Sequence, residues 1–446
     1  MRRWAVALTV VALSIDLAAR AVQHLAVGSD RAAAAPAHVK GGAGLAEAAA
    51  GPALSGPALR WGMHGRAVEA LQAALSLIGY DPGRPDGAFA AGTRTALTSF
   101  QRDGGMEPDG VVSEETGRRI RSALARRARA DALAAARGLQ VALTAGRLTN
   151  GEADRAQATL ARVERTVAES PLQRAAPVAA VLRDVAAAPA DYDRPRVTAL
   201  WATLSMNLRP PPGIPRDVTG PDGVVYRWMP GEGYQFHPLA NFALLNAEVS
   251  RGERERARLL AGALLARGAR DGGGMVWEYD FPFGGPSRWT SGFAQAVAAD
   301  ALARAGKLVD DRRLTDAAKD AFNALDPALT RPIAGGGRWI LEYSKSDMLV
   351  LNADLESLLS LRRYARTSGS GNAARLADQL DTALHRLLPR FDTGCWSRYS
   401  LGGAPASRSY HAYHVQLLRR LFAVTGDPLW RRYADRFGRD LRTPSC

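Results

Sequence analysis

Cysteine is nearly absent from this chain of 446 residues: there are two, Cys395 and Cys446, and no CxxC pair. That excludes a zinc ribbon and a multi-bridge disulfide scaffold, and leaves room for one bridge between two residues in different elements. No Walker, Rossmann or haem-attachment sequence occurs, so no cofactor is implied. Beyond the N-terminal stretch no segment is apolar enough to span a bilayer. Acidic residues are in deficit, 44 Asp and Glu against 58 Lys and Arg, for a formal net charge of +14. Such a balance favours acidic partners such as uronate polymers, anionic wall polymers or nucleic acid. Most of the excess is arginine scattered over alanine-rich helices, a pattern that compositional bias alone also produces.

The length predicts two or three domains, and the hydrophobic fraction of 47% says that most of the chain folds. The first 28 residues place two arginines before a short apolar run, 5–15, which predicts a signal peptide or an N-terminal membrane anchor and hence export to the periplasm or outer envelope. Small residues at 32–37 offer candidate cleavage points. Residues 29–56, rich in Ala, Gly and Pro, read as a flexible linker.

Residues 57–125 change character. Val68, Leu71, Leu75 and Ile78 share one helical face, Ala96, Leu97 and Phe100 mark a second helix, and Ser113 starts a third with acidic residues in its first turn. Glycine turns at Gly79, Gly87 and Gly110 join them. Residues 126–212 read as a helical connector, with amphipathic Ala, Arg and Leu patterns broken at 146–151 and 186–195 and ended by Pro210, Pro211 and Pro212.

From 213 to 446 the chain repeats itself. An aromatic, strand-like patch precedes a helical hairpin four times, at Tyr226 to Trp228, Trp277 to Tyr279, Trp339 to Tyr343 and Trp396 to Tyr399. The following helices are expected to begin near Pro238, Thr290, Leu349 and Ser409. First helices are apolar on a broad face and second helices more charged, which predicts an inner and an outer layer with the aromatic loops gathered at one end. Such an aromatic end suits a carbohydrate, whose faces stack on rings. The predicted fold class is mainly α: a C-terminal (α/α) toroid-like array of hairpins with short aromatic strands, plus a small three-helix domain.

Two families resemble these blocks. Gly65, Val68, Gln72, Asp86, Gly87, Thr93, Phe100, Gln101, Asp109, Gly110 and Thr116 resemble the peptidoglycan-binding-like three-helix domain, which implies contact with peptidoglycan or cell wall. Most of these are also core or turn residues by type and spacing, so a structural or protein-docking module stands beside that reading. The stretches WILEYSKSDMLVLNADLESLL, FDTGCWSRYSL and SYHAYHVQLLRRLF, together with YQFHPLANFALLN upstream, resemble the C-terminal domain of D-glucuronyl C5-epimerases.

That second resemblance implies an isomerase acting on a uronate-containing polysaccharide, with no nucleic acid, metal or cofactor, and with membrane contact only through a retained N-terminal anchor. It carries Tyr343, Tyr399 and Tyr410 over as catalytic tyrosines and Glu342 as the acid beside the first. Epimerisation removes the proton on the carboxylate-bearing carbon and returns one from the opposite face, so two proton carriers must flank the ring. A tyrosine needs a nearby cation to act as base near neutrality. Where the family carries an Asp-Leu-Arg-type run, this chain has Ser400, Leu401 and Gly402, so Arg398 and Arg408 are the candidate carboxylate anchors. Asn352, Tyr234, Trp396, His411 and His414 complete the expected substrate contacts. Taken alone, each tyrosine is as readily a packing residue, and His411 with His414 lacks the acidic companions of a metal site. A polysaccharide lyase shares the first proton abstraction, and a non-catalytic wall-binding protein needs only the scaffold.

Overall fold

The computed structural model describes residues 58–187, 192–210, 212–283, 287–325 and 328–442. The expected leader at 1–28, the linker at 29–56 and Cys446 lie outside the described residues, whereas Cys395 is disulfide-bonded. Among the described residues no helix is long and apolar enough to cross a membrane.

Three helices open the described chain: α1 (Arg66–Leu77), α2 (Ala91–Asp103) and α3 (Glu114–Thr144). Val68, Leu71 and Leu75 are fully buried, as their spacing requires, while Ile78 closes α1 as its C-cap. Two buried glutamines fix the turns between the helices. Gln72 donates to Asp86 Oδ1 and Thr93 Oγ1 while its Oε1 accepts from the Gly87 amide at 2.9 Å. Gln101 repeats the device, donating to Asp109 Oδ1 and accepting from the Gly110 amide at 3.0 Å. Both glycines sit at positive φ, +75° and +73°, where a side chain would be strained. Ser113 caps α3 by accepting from the Thr116 amide.

Helix α3 does not stop near 125. No proline interrupts its Ala and Arg pattern before Gly146, the one glycine after 125, Gly138, is buried within the helix, and Leu124, Ala128, Ala132, Ala135 and Leu139 continue one buried stripe. The connector then supplies α4 (Asn150–Glu169), α5 (Leu172–Ala186) and α6 (Arg194–Leu208). A single apolar cluster joins Val68 of α1 to Leu208 of α6, so the three-helix module and the connector share one core.

A three-stranded antiparallel sheet follows, β1 (Asp217–Thr219), β2 (Val225–Met229) and β3 (Gly233–Phe236), with Arg227 opposite Gln235 and Trp228 opposite Tyr234. Four hairpins complete the chain: α7 (Pro238–Arg251) with α8 (Arg254–Leu265), α9 (Gly292–Val309) with α10 (Arg312–Asn323), α11 (Leu351–Ser368) with α12 (Gly371–Leu387), and α13 (Arg408–Thr425) with α14 (Pro428–Arg442). Two-stranded ribbons precede the second and third: β4 (Ala269–Asp271) with β5 (Gly274–Val276), and β6 (Thr330–Pro332) with β7 (Arg338–Ile340).

The first helices stand side by side in the order α7, α9, α11, α13, and the second helices pack outside them. Burial follows that layering: α9 is enclosed on almost every side, whereas α10 buries only Leu314, Ala317, Ala318 and Ala321. The close fit at the start of α9 depends on Gly292, where a Cβ would lie 2.7 Å from the Leu341 carbonyl and 2.9 Å from that of Leu329.

The module is seated on the sheet. Glu69 Oε1 accepts from Trp228 Nε1 and from the Gly231 amide, both at 3.1 Å. Arg66 lies over the Trp228 ring at 5.0 Å and donates to the Ile214 carbonyl. Gly231, at φ +78°, touches Pro85 so closely that a Cβ would come within 2.5 Å of its ring.

Candidate active site

The N-terminal ends of the inner helices meet the aromatic loops. His237 caps α7 by accepting from the Ala240 amide through Nδ1, Ser291 caps α9, and Ser407 caps α13, whose first turn carries Tyr410. His237, Leu239 and Ser291 line a narrow cleft together with Met229, Tyr279, Phe281, Phe283, Trp289, Glu342 and Tyr343. The cleft formed by the described residues has room only for water-sized groups, about 30 Å³, so a sugar must displace side chains at its rim. Helix N-termini favour negative charge, so this end of the array is prepared for an anion.

Aromatic stacking builds the wall. Trp289 lies parallel to Tyr279 with ring centroids 4.0 Å apart and touches Tyr343, which also stacks on Phe283. An isolated bridge between Tyr279 and Trp289 holds the pair in register. Lys345 Nζ sits 5.0 Å from the Trp289 ring centre, and its partial burial lowers its pKa to about 8.

Glu342 is the chemical centre. It is 6% exposed, and burial raises its pKa to about 7 although hydroxyls from Tyr399 and Tyr343 oppose the shift. Tyr399 donates to Glu342 Oε2 at 3.1 Å, and the Tyr343 and Tyr399 hydroxyls are 3.5 Å apart. Tyr410 meets the Tyr399 ring edge to face at 4.9 Å. All three tyrosines are pushed well above the ordinary tyrosine value, first by burial and next by the charge on Glu342. Three tyrosines from three separate stretches thus gather around one carboxylate.

The cations acting on this group come from the sheet. Arg227 and Arg216 both lower the Tyr410 pKa, against the larger effect of burial. Arg227 is 2% exposed and donates through Nε to Asp217 Oδ1 at 2.7 Å. Strand alternation puts it on the same face of β2 as Met229 and opposite Gln235 of β3, next to His237. Burial, then the same two arginines, hold the His237 pKa well below its usual value. The ring is therefore neutral, and with Nδ1 accepting, its Nε2 carries the proton. Arg227 and His237 are absent from the residues singled out in the sequence. The signal was the period-two pattern of VYRWM beside QFHP.

Other expected contacts lie elsewhere. Arg398 donates to the Gly403 carbonyl at 2.6 Å within its own loop, and Arg408 is exposed at the start of α13. His411 and His414 face away from the cleft, sharing the Ser397 hydroxyl at 2.7 and 2.8 Å. His411 Nδ1 accepts from the Ser397 amide, so its Nε2 donates to the Phe437 carbonyl and ties α13 to α14. Burial lowers the His414 pKa to about 3. Trp396 stacks on His411 at 3.8 Å and donates to the Ala406 carbonyl. Tyr234 donates to the Pro215 carbonyl on the far face of the sheet. Asn352 is fully buried in the first turn of α11. Asp354, also fully buried, accepts from the Ile340 amide at 2.9 Å and so fixes the strand that delivers Glu342. Among the described residues no cluster of His, Cys, Asp and Glu could hold a metal ion.

Comparison with known proteins bears on this arrangement. Residues 271–439 match the family described as D-glucuronyl C5-epimerase C-terminus. Residues 64–120 match the family described as "Putative peptidoglycan binding domain". The D-glucuronyl C5-epimerase of Caenorhabditis elegans is 30% identical over 177 residues, covering 34% of this chain and 29% of that protein. An uncharacterized protein of Methanocaldococcus jannaschii is 26% identical over 175 residues, 36% of this chain and 56% of its own. The spore cortex-lytic enzyme of Oceanobacillus iheyensis is 41% identical over 64 residues, 14% of this chain and 23% of that enzyme. This chain thus spans little more than half of one relative and under a third of the other two. Within the epimerase-family span lie Glu342, Tyr343, Tyr399 and Tyr410, while Arg227 and His237 lie upstream of it.

Proposed function

We propose that this protein is a cell-envelope epimerase that inverts the carboxylate-bearing carbon of uronic acid units in a polysaccharide. The observation that carries the reading is the buried Glu342 carboxylate bonded by Tyr399, with Tyr343 and Tyr410 packed beside it at a cluster of helix N-termini. Tyr399 takes the proton from the sugar carbon as its own passes to Glu342, so no free tyrosinate is needed despite the raised tyrosine pKa values. Tyr410 returns a proton from the other face, and the tyrosinate left behind is offset by Arg227 and Arg216. Extra negative charge on the substrate carboxylate is met by the helix N-termini and by His237 Nε2. The N-terminal module holds the enzyme at the wall.

The test is exchange in heavy water. A glucuronate polymer gains deuterium at the abstracted carbon, and Tyr399→Phe or Tyr410→Phe slows this by roughly a hundred- to ten-thousand-fold while the circular dichroism spectrum is kept. Appearance of an unsaturated uronate chromophore instead assigns the chain to the lyases. Neither exchange nor elimination across glucuronate, mannuronate and heparosan-like polymers leaves a binding protein on an epimerase scaffold.

A further inference from the structure

The connector carries a groove that the proposed chemistry does not use. It lies where the end of α4, the start of α5 and the end of α6 converge, and encloses about 430 Å³. That volume falls in the range of small-ligand sites, roughly 300–1,000 Å³. Arg162, Arg165, Arg174 and Arg209 line it, with Glu169 as the single acidic residue. Among the described residues none of the four arginines has an ion pair. Arg174 donates to the Leu208 carbonyl, which holds one guanidinium at the groove wall. The C-terminal ends of α4 and α6 and the N-terminal end of α5 meet here, so the helix dipoles leave only a small net negative partial charge and the four arginines set the sign of the groove.

Four like charges gathered in one concavity repel each other, and Glu169 is the one acidic side chain in the lining to set against them. Planar guanidinium forks match carboxylates in pairs. We infer that this groove is a second carbohydrate site, which binds the carboxylates of a uronate chain away from the reacting sugar. The choice of uronate rests on the epimerase reading. Position supports it: ten residues further along α5, about 15 Å at the helical rise, Arg183 and Asp184 bind Glu232 and Ser287, which flank the strands and loops of the cleft. A polymer long enough to span that distance engages both places, and a short oligomer engages one.

Arg165 and Arg209 are exposed and their side chains make no hydrogen bond among the described residues, so truncating them leaves the fold intact. The test uses the full chain and a defined-length glucuronate oligosaccharide, with affinity measured by calorimetry in the absence of turnover. Arg165→Ala with Arg209→Ala is expected to weaken binding of a long oligomer about tenfold or more, the loss of one or two charge-assisted contacts. Arg126→Ala with Arg129→Ala, which removes the same charge from the exposed side of α3, is expected to change it less than about twofold. Equal losses in the two pairs, or none in the first, overturn the site. Binding of inorganic polyphosphate that excludes the glucuronate oligomer from the groove overturns the uronate assignment. Because binding is read without catalysis, failure of deuterium exchange removes the epimerase reading without touching this result.

Discussion

Glu342 is a buried group whose titration bears on stability and, under the proposed mechanism, on rate. Its folded pKa, about 7, lies above the ordinary 4.5, so its contribution to stability is full below pH 4.5 and lost as pH rises through 7. A shift of that size corresponds to on the order of 3 kcal/mol. Denaturant titrations from pH 4 to 8 should therefore show wild type losing about that much relative to Glu342→Gln, whose curve lacks this term. Asp280, pushed up to about 7 by burial, contributes the same slope to both proteins and cancels in the difference. Activity runs the other way, because the carboxylate must be ionised to take the Tyr399 proton: the rate should rise through about pH 7 and be flat there in the Gln variant. At this scale the sequence was legible where a motif carried the residue. Tyr343, Tyr399, Tyr410 and Glu342 come together, whereas Arg227 and His237 escaped notice because one arginine in a strand and one histidine before a proline carry no local signature. Their meaning depends on sheet register and on a helix cap, which are facts about neighbours.

Elements deliver those residues, and their ends matter more than their middles. Gly292 starts α9 against the Leu341 carbonyl, one residue from Glu342. Gly292→Ala must push α9 away from that strand, and an overpacking cost of roughly 1–3 kcal/mol is expected in the melting transition. Its effect on turnover should exceed its effect on substrate affinity, since it shifts the segment after β7 that carries Glu342 and Tyr343 more than the cleft mouth. Kinetics of the purified variant separate the two. The inner helices were readable from their apolar faces and their starts: Pro238 begins α7 as expected, and the other three begin within two residues of the expected points. The 125 boundary was not readable. An Ala and Arg pattern with no proline, whose one glycine, Gly138, is packed inside the helix, gives no stop, so α3 runs on past 125 to Thr144.

At the scale of the whole molecule, one core joins the three-helix module to the connector, and the seat on the sheet ties the module to the hairpin array. Glu69→Ala removes both hydrogen bonds to the 228–231 corner and is expected to cost about 1–3 kcal/mol. Calorimetry should then resolve an early transition that the wild type lacks. Nothing in the sequence of α1 announced this contact, because Arg66 and Glu69 look like ordinary solvated charges until the Trp228 corner is folded beside them. The consequence concerns reach. An enzyme on a leash sweeps a volume around its anchor, and any strand within that volume is a substrate. On the proposed function, a wall-holding module bolted to the hairpin that also forms the cleft wall would present the cleft at one height and one angle above whatever the module grips. It would work as a plane works on a board, treating the layer at its own depth and leaving deeper strands untouched.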